Sequence, residues 1–162
     1  MDEFEKSEKF KTAKLILDSF ILDPNDTTHP ERKNWQRKEF DESGRGYYGK
    51  RNLEFILRVP KDNDKISDLG EHDIRNSFDS LLDFFGKLGY LMHIKIITEK
   101  EMIYFQYYID RIRNNKWIIF YIKEYEFELF ALLLYKLNKH DEQLDNLIER
   151  YRLKDEYPTI IK

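Results

Sequence analysis

The feature that most limits the fold is a helical spacing of large apolar residues in the middle of the chain. Asp68 is a suitable N-cap with Glu71 three residues later, and Gly89 stands where a left-handed glycine commonly closes a helix. Between them, five large apolar residues recur at intervals of four and three: Ile74, Phe78, Leu81, Phe85 and Leu88. This spacing puts them on one face of an α-helix. It predicts an amphipathic helix from Asp68 to Leu88 with one buried stripe.

The same periodicity predicts a helix at the start of the chain, from about Asp2 to Leu22. Its apolar residues recur at helical spacing, whereas its four lysines fall on the other faces. Asp23 and Pro24 end it, because a residue that precedes proline is pushed out of the helical region. Its expected core residues are Phe10, Ala13, Leu17, Phe20 and Ile21.

Three further patterns predict helices in the second half. Thr98 and Glu101 form a capping box ahead of a helix that ends at Asn114-Asn115, and its buried face is Met102, Phe105, Ile109 and Ile112. The run Trp117–Ile122 suits a buried strand or a buried helix. Apolar residues continue at helical spacing beyond it, which favours one helix from Lys116 to Leu137. Asp141 can cap a last helix that carries Leu144, Leu147, Ile148 and Tyr151.

These segments predict an all-α fold, a bundle of five or six helices in a single domain over residues 1–162. A long, partly ordered connection is expected near residues 23–67, with a loop-rich basic part at 31–67, and a tail at 152–162. The 12 Phe, 11 Tyr and 2 Trp supply enough apolar area for a stable core, although the mean hydropathy is −0.74.

Charged residues are spread evenly enough to exclude a membrane-spanning helix. The longest stretch without Asp, Glu, Lys or Arg runs from Met102 to Ile109, whereas a span needs about 20 mostly apolar residues. The first residues lack the basic start and apolar stretch of a signal peptide. With no cysteine, disulfides and sulfur-based zinc sites are excluded. The expectation is a soluble, cytoplasmic protein with no membrane association.

A glycine-rich segment, Gly44–Arg51, resembles two phosphate-binding motifs. Gly44, Gly46 and Gly49 match a dinucleotide-binding pattern, and Lys50 falls in register for a phosphate loop. Both motifs need a buried strand immediately before them, but the preceding residues are mostly charged. Arg51 also stands where a magnesium-binding Ser or Thr is required. The segment is therefore interpreted as a loop, and no cofactor is predicted.

Metal-binding and catalytic patterns are weak. The four histidines, at positions 29, 72, 93 and 140, lack the spacing that puts two ligands on one helix face. Asp62–Asp64 begins like a calcium loop without its required glycine, and Glu124 with Glu128 forms only a carboxylate pair one helical turn apart. No serine or lysine lies in a recognisable nucleophile motif. No catalytic, metal or cofactor residue is predicted, and the balance is against an enzyme.

Residues 32–58 carry a net charge of +4 in a chain whose net charge is −3. Basic and aromatic side chains alternate there, a pattern that can follow phosphates and stack on bases. The pI of about 5.9 is low for a nucleic-acid-binding protein, so nucleic-acid binding is the alternative function. Its candidate residues are Arg32, Lys33, Trp35, Arg37, Lys38, Arg45, Tyr47, Lys50 and Arg51.

The excess of aromatic residues on the predicted helices favours a different function. Tyr104, Tyr107 and Tyr108 lie off the apolar face of their helix, and Trp117, Phe120 and Tyr121 extend the excess. Monomers rarely expose large apolar patches, so a second surface has to cover some of these side chains. The sequence thus favours a non-catalytic protein-interaction module whose partner is another protein or a second copy of the chain.

Residues 81–91, Leu-Leu-Asp-Phe-Phe-Gly-Lys-Leu-Gly-Tyr-Leu, with the later Phe105 and Trp117, resemble a class of uncharacterised prokaryotic all-helical domains. Members of that class carry a Leu-x-x-Phe-Phe-x-x-x-Gly-x-Leu stretch, then a short helix, a longer helix and a tryptophan. The resemblance implies an all-α fold and brings no catalytic or binding residue with it.

Overall fold

The computed structural model describes residues 2–19, 57–60, 69–139 and 141–158, and within these ranges the chain is helical with no strand. By the density of internal contacts the chain divides into two compact units, Met1–Ser80 and Leu81–Lys162. The all-α prediction is confirmed. The single domain expected over residues 1–162 stays a prediction.

The described residues form eight α-helices and one 3₁₀ helix, so a bundle of five or six is not confirmed as a number. The α-helices are α1 (Asp2–Lys6), α2 (Glu8–Ser19), α3 (Leu69–His93), α4 (Gln106–Arg113), α5 (Lys116–Glu124), α6 (Glu128–Lys136), α7 (Glu142–Arg150) and α8 (Leu153–Glu156). The 3₁₀ helix, Glu99–Phe105, leads directly into α4. Among the described residues, no helix is both long enough and apolar enough to cross a membrane.

The first unit corrects the prediction of one continuous helix from residue 2, because α1 and α2 are separated at Ser7. Lys14 bonds the carbonyl oxygens at this break, since its ammonium group donates to those of Phe4 at 3.0 Å and Glu5 at 3.3 Å. A continuous helix would use these two carbonyls for its own amides. Phe4 instead packs on Phe10, with ring centroids 5.6 Å apart. The buried lysine thus caps α1 and lets Phe4 join the core.

Within the same unit, Ser77 of α3 joins the backbone of α2. Its hydroxyl donates to the carbonyl oxygen of Lys9 at 2.8 Å and accepts from the amide of Ala13 at 3.0 Å. These two backbone groups are four residues apart, the separation that an α-helix bonds directly. Ala13, with its small side chain, is completely buried. The buried hydroxyl is therefore satisfied twice over, as a polar group in a core requires.

The apolar stripe of α3 is confirmed at Ile74, Phe78, Leu81 and Phe85, which are fully buried, whereas its last member, Leu88, is only partly buried. The prediction that Gly89 ends this helix is wrong, because α3 continues to His93. A Cβ atom at Gly89 would lie 2.7 Å from the carbonyl oxygen of Leu129 and 2.8 Å from the amide nitrogen of Leu133. The glycine therefore allows α3 and the backbone of α6 to approach closely, and it does not form a left-handed cap.

In the second unit the predicted caps are confirmed. The carboxylate of Glu101 accepts from the amide of Thr98 at 2.7 Å, and Asp141 caps α7 by accepting from the amide of Leu144 at 2.9 Å. The side chain of Asn115 accepts from the amides of Trp117 and Ile118 and so caps α5. The run Trp117–Ile122, for which the sequence allowed a strand or a helix, is therefore helical.

The predicted single helix from Lys116 to Leu137 is wrong, because it is interrupted at residues 125–127. Glu126 has a left-handed backbone with a φ of 58°, and the amide of Phe127 donates to the carbonyl oxygen of Ile122 at 3.0 Å. This is the Schellman ending of α5, here made with glutamate in the position that glycine usually occupies. Because the apolar spacing continues through the break, the periodicity of the sequence does not reveal it.

Replacing Glu126 with glycine should stabilise the protein by about 1 kcal/mol, because a left-handed conformation strains a residue that has a Cβ atom. Denaturant unfolding of Glu126→Gly and of the unchanged chain measures this gain. Glu126→Ala is the matched control, since it removes the same charge but keeps the Cβ atom. We expect it to leave the stability almost unchanged. An equal gain from both variants would assign the effect to charge and contradict the backbone explanation.

The core of the second unit is built around Phe85. Its ring packs edge-on against Phe105 and Phe130, with centroids 5.9 Å and 6.1 Å away. The hydroxyl of Tyr151 donates to the carbonyl oxygens of Ile122 and Lys123, which joins the end of α7 to the end of α5. The expected tail at 152–162 begins with the short helix α8, whose Leu153 is fully buried.

Candidate protein-interaction surface

Large side chains lie exposed along one side of the 3₁₀ helix and α4. Ile103, Tyr104 and Tyr107 have exposed fractions of 68%, 65% and 42%. Their spacing of three and four residues, continued by Tyr108 and Arg111, puts neighbours on one side of a helix. We call these five residues the tyrosine stripe: Ile103, Tyr104, Tyr107, Tyr108 and Arg111. Ile103, Tyr104 and Tyr107 form its solvent-exposed part, whereas Tyr108 and Arg111 are partly buried beside them.

The other side of these two helices faces the core. Met102, Phe105, Ile109 and Ile112 are buried, as their spacing predicts. The helices therefore already have the apolar face that anchors them to the second unit. The tyrosine stripe is additional apolar surface, which the fold of this unit does not need for its own packing.

Arg111 gives the stripe a positive charge held in a fixed position. Its guanidinium carbon lies 3.2 Å from the centroid of the Tyr107 ring, and its Nη1 atom donates to the carbonyl oxygen of Tyr107 at 2.9 Å. Tyr107 also packs edge-on against Tyr108, with centroids 4.9 Å apart. The stacking and the hydrogen bond restrict the rotamers of these side chains before any partner binds, and this lowers the entropy that binding would cost.

The other aromatic residues of the interaction hypothesis are not brought together in the same way. Tyr121 is buried, with 2% of its surface exposed, and therefore belongs to the core. Trp117 is partly buried, and Phe120 is exposed on α5. Ile103 and Arg111 were not singled out by the sequence pattern. The spacing of four residues between Tyr107 and Arg111 is the signal that points to their contact.

The carboxylate pair considered for a metal lies on two helices. Glu124 ends α5 and Glu128 begins α6, so the turn between them removes the common helix face. Glu128 instead lines a groove of about 300 Å³ together with Asp83, Glu126 and the aromatic residues Tyr125, Phe127 and Phe130. Among the described parts of the chain no three metal-ligating side chains converge. The groove collects acidic groups beside aromatic rings.

The residues predicted for nucleic-acid binding, Arg32 to Arg51, lie outside the described residues. The glycine-rich segment Gly44–Arg51 and the calcium-like loop Asp62–Asp64 lie outside them as well. Of the basic segment 32–58, only Leu57 and Arg58 are described, and the carbonyl oxygen of Arg58 accepts from the guanidinium group of Arg75 at 3.0 Å. The nucleic-acid hypothesis therefore stays a prediction from charge pattern.

Comparison of the chain with protein-family models, with curated proteins and with solved structures found no match. The resemblance of residues 81–91 to a class of helical domains stays a prediction.

Proposed function

We propose that this chain is a non-catalytic helical protein-interaction module and that the tyrosine stripe is its contact surface. The observation that carries the proposal is the exposure of Ile103, Tyr104 and Tyr107 on the side opposite a complete apolar face. Tyrosine and arginine are, with tryptophan, the residue types enriched at the energetic centres of protein interfaces. The partner is another protein or a second copy of the chain. A cytoplasmic location and a fold of five or six principal helices belong to the same proposal.

Site-specific photocrosslinking tests the proposal. A benzophenone side chain placed at position 104 should give a discrete adduct in cells that produce the protein, because a contact surface holds its partner within bonding distance. The mass of the adduct distinguishes the two kinds of partner, since an adduct of two copies has twice the chain's mass of 19.9 kDa. Arg111→Ala should weaken the adduct at position 104, because it removes the cation stacked on Tyr107.

Position 120 is the matched control for crosslinking. Phe120 is also an exposed aromatic residue of the second unit, with an exposed fraction of 41%, but it lies on α5. A benzophenone there should give no discrete adduct. The proposal fails if position 104 gives none either, or if both positions give the same products.

The alternative function rests on the +4 charge of residues 32–58. If this segment binds DNA or RNA, log affinity should fall steeply and linearly with log salt concentration, because each neutralised phosphate releases counterions. Titration of fluorescent single-stranded and double-stranded oligonucleotides at low and moderate salt measures this slope. Binding with such a slope, together with no crosslink at position 104, would replace the protein-interaction proposal with nucleic-acid binding.

A further inference from the structure

His93 lies at the end of α3 in contact with the end of the described chain. Its ring packs edge-on against Tyr157, with centroids 5.2 Å apart and an interplanar angle of 88°. Tyr90, one turn earlier in α3, is the second ring beside it, at 6.4 Å. Tyr157 follows α8 directly and is itself partly buried. The histidine therefore holds a residue that is 64 positions away in the sequence.

The Nδ1 atom of His93 is buried and has no hydrogen-bond partner. A neutral imidazole tolerates this arrangement when its proton is on Nε2, because Nδ1 is then only an unused acceptor. Protonation would place a charged N–H donor in the same buried position without an acceptor. That is much more costly than an unused acceptor, and the cost is relieved only if the ring moves to reach water.

The surroundings of the two rings favour the neutral form of each side chain. Burial, followed by the positive charge of Lys136, lowers the pKa of His93. The pKa of Lys136 is itself lowered by burial and by Lys95. Burial raises the pKa of Tyr157, and the negative charge of Glu128 raises it further, as do Glu156 and Tyr90. The acidic groups thus act on the tyrosine hydroxyl, whereas the charge that acts on the histidine is positive.

We propose that His93 is a proton-controlled latch, which holds Tyr157 against the end of α3 while the imidazole is neutral and releases it when the imidazole is protonated. The neutral ring offers an edge-to-face contact with no unpaired donor. The charged ring has a buried donor without an acceptor and is repelled by Lys136. Leu153 stays buried in either state, so the release concerns the residues that follow it. This inference does not depend on the tyrosine stripe.

The direction of the pH dependence follows from these contacts. Because the pKa of His93 in the folded chain is below its ordinary value of about 6.5, the folded state prefers the neutral ring. The contribution of the latch to stability is therefore fully present above about pH 6.5 and is lost as the pH falls through the folded pKa. Tyr157 should be docked at neutral pH and released in mildly acidic solution.

An NMR titration of the full chain, with ¹³C-labelled histidine and tyrosine rings, tests the latch as the pH is lowered from about 8 through 6.5 and on past the midpoint of His93. The Tyr157 ring resonance should move toward the position of an exposed tyrosine with the same midpoint as His93. His93→Phe keeps an aromatic ring but cannot be protonated, so the Tyr157 resonance should become independent of pH. His72→Phe is the control, since His72 is an exposed histidine near the other end of α3, and it should leave the transition in place.

Two results would overturn the proposal. One is a Tyr157 resonance that does not change while His93 titrates, and the other is a transition that persists in His93→Phe. If His93→Phe does not fold, Tyr157→Leu provides the second measurement. Removing the ring that covers His93 should shift the midpoint of the histidine upward, and an unchanged midpoint would show that the two residues are not coupled.

Discussion

Truncating Phe85 to alanine should cost about 3–5 kcal/mol of unfolding free energy, because it leaves a large cavity in a close-packed interior. Phe85 is fully buried, and its ring is the common neighbour of Phe84, Phe105 and Phe130, with centroids 5.5–6.1 Å away. A loss of this size is much of the roughly 5–15 kcal/mol that stabilises an ordinary domain. Denaturant unfolding followed by circular dichroism would measure it.

The matched control for Phe85 is Tyr104, also an aromatic residue of the second unit but 65% exposed. Tyr104→Ala should change the unfolding free energy by less than about 0.5 kcal/mol, as surface substitutions usually do. Similar losses in the two variants would show that Tyr104 is covered in the folded protein.

Replacing Gly89 with alanine should destabilise the protein by about 2–3 kcal/mol, although alanine is the better helix former by about 1 kcal/mol. The added Cβ atom would be 2.7–2.9 Å from the backbone of Leu129 and from the backbone and Cβ atom of Leu133. Backbone atoms inside α6 cannot rotate away as a flexible side chain can. The two helices would have to separate, and the packing between them would be lost.

Two other alanine substitutions on the same helix serve as comparisons for the stability cost of Gly89→Ala. Gly86→Ala should cost less than Gly89→Ala, because its Cβ atom would meet the Cβ atom of Leu129 at 2.9 Å but would lie 3.4 Å from the nearest backbone atom. Lys87→Ala, at an exposed position between them, should be nearly neutral. If Gly89→Ala were as stable as Lys87→Ala, the close approach of α3 and α6 would be wrong.

The sequence predicted which residues form the helical cores, because burial leaves a periodic trace. The stripe from Ile74 to Phe85 and the face from Met102 to Ile112 are buried as their spacing indicated. The caps at Thr98 and Asp141 were also predictable, since a side chain that bonds an amide three residues later is a local feature. In each case the cause and its effect lie within one or two helical turns.

The helix ends that the sequence predicted wrongly have a cause that is distant in the chain. Glycine commonly indicates a left-handed ending, but Gly89 is required by a helix that begins at Glu128. The left-handed positions are occupied by Lys95, Glu126, Asn138 and Arg152, all with a φ between 50° and 61°. Of these only asparagine is a usual substitute for glycine. A tertiary contact determined the role of Gly89, and no local pattern contains it.

The tyrosine stripe was predictable in part, because helical phase is a local property of the sequence. The helical phase separates Tyr104 and Tyr107 from the buried face, so their exposure could be predicted without a structure. The burial of Tyr121 could not, because it depends in part on Phe127, whose ring stacks on it from beyond the end of α5. The contact between His93 and Tyr157 could not be predicted either, since 64 residues separate them and neither belongs to a known motif.

The hydroxyl of Ser77 has a consequence for how the first unit opens. The amide of Ala13 donates to the Ser77 hydroxyl of α3, and the same hydroxyl donates to the carbonyl oxygen of Lys9. When the two helices separate with α2 still helical, this amide is left to bond to the Lys9 carbonyl or to water, so its hydrogen-bond partner and its amide proton chemical shift change. Deuterium uptake at the neighbouring amides of α2 depends instead on unwinding. One backbone position thus distinguishes undocking from fraying, two events that global unfolding curves combine.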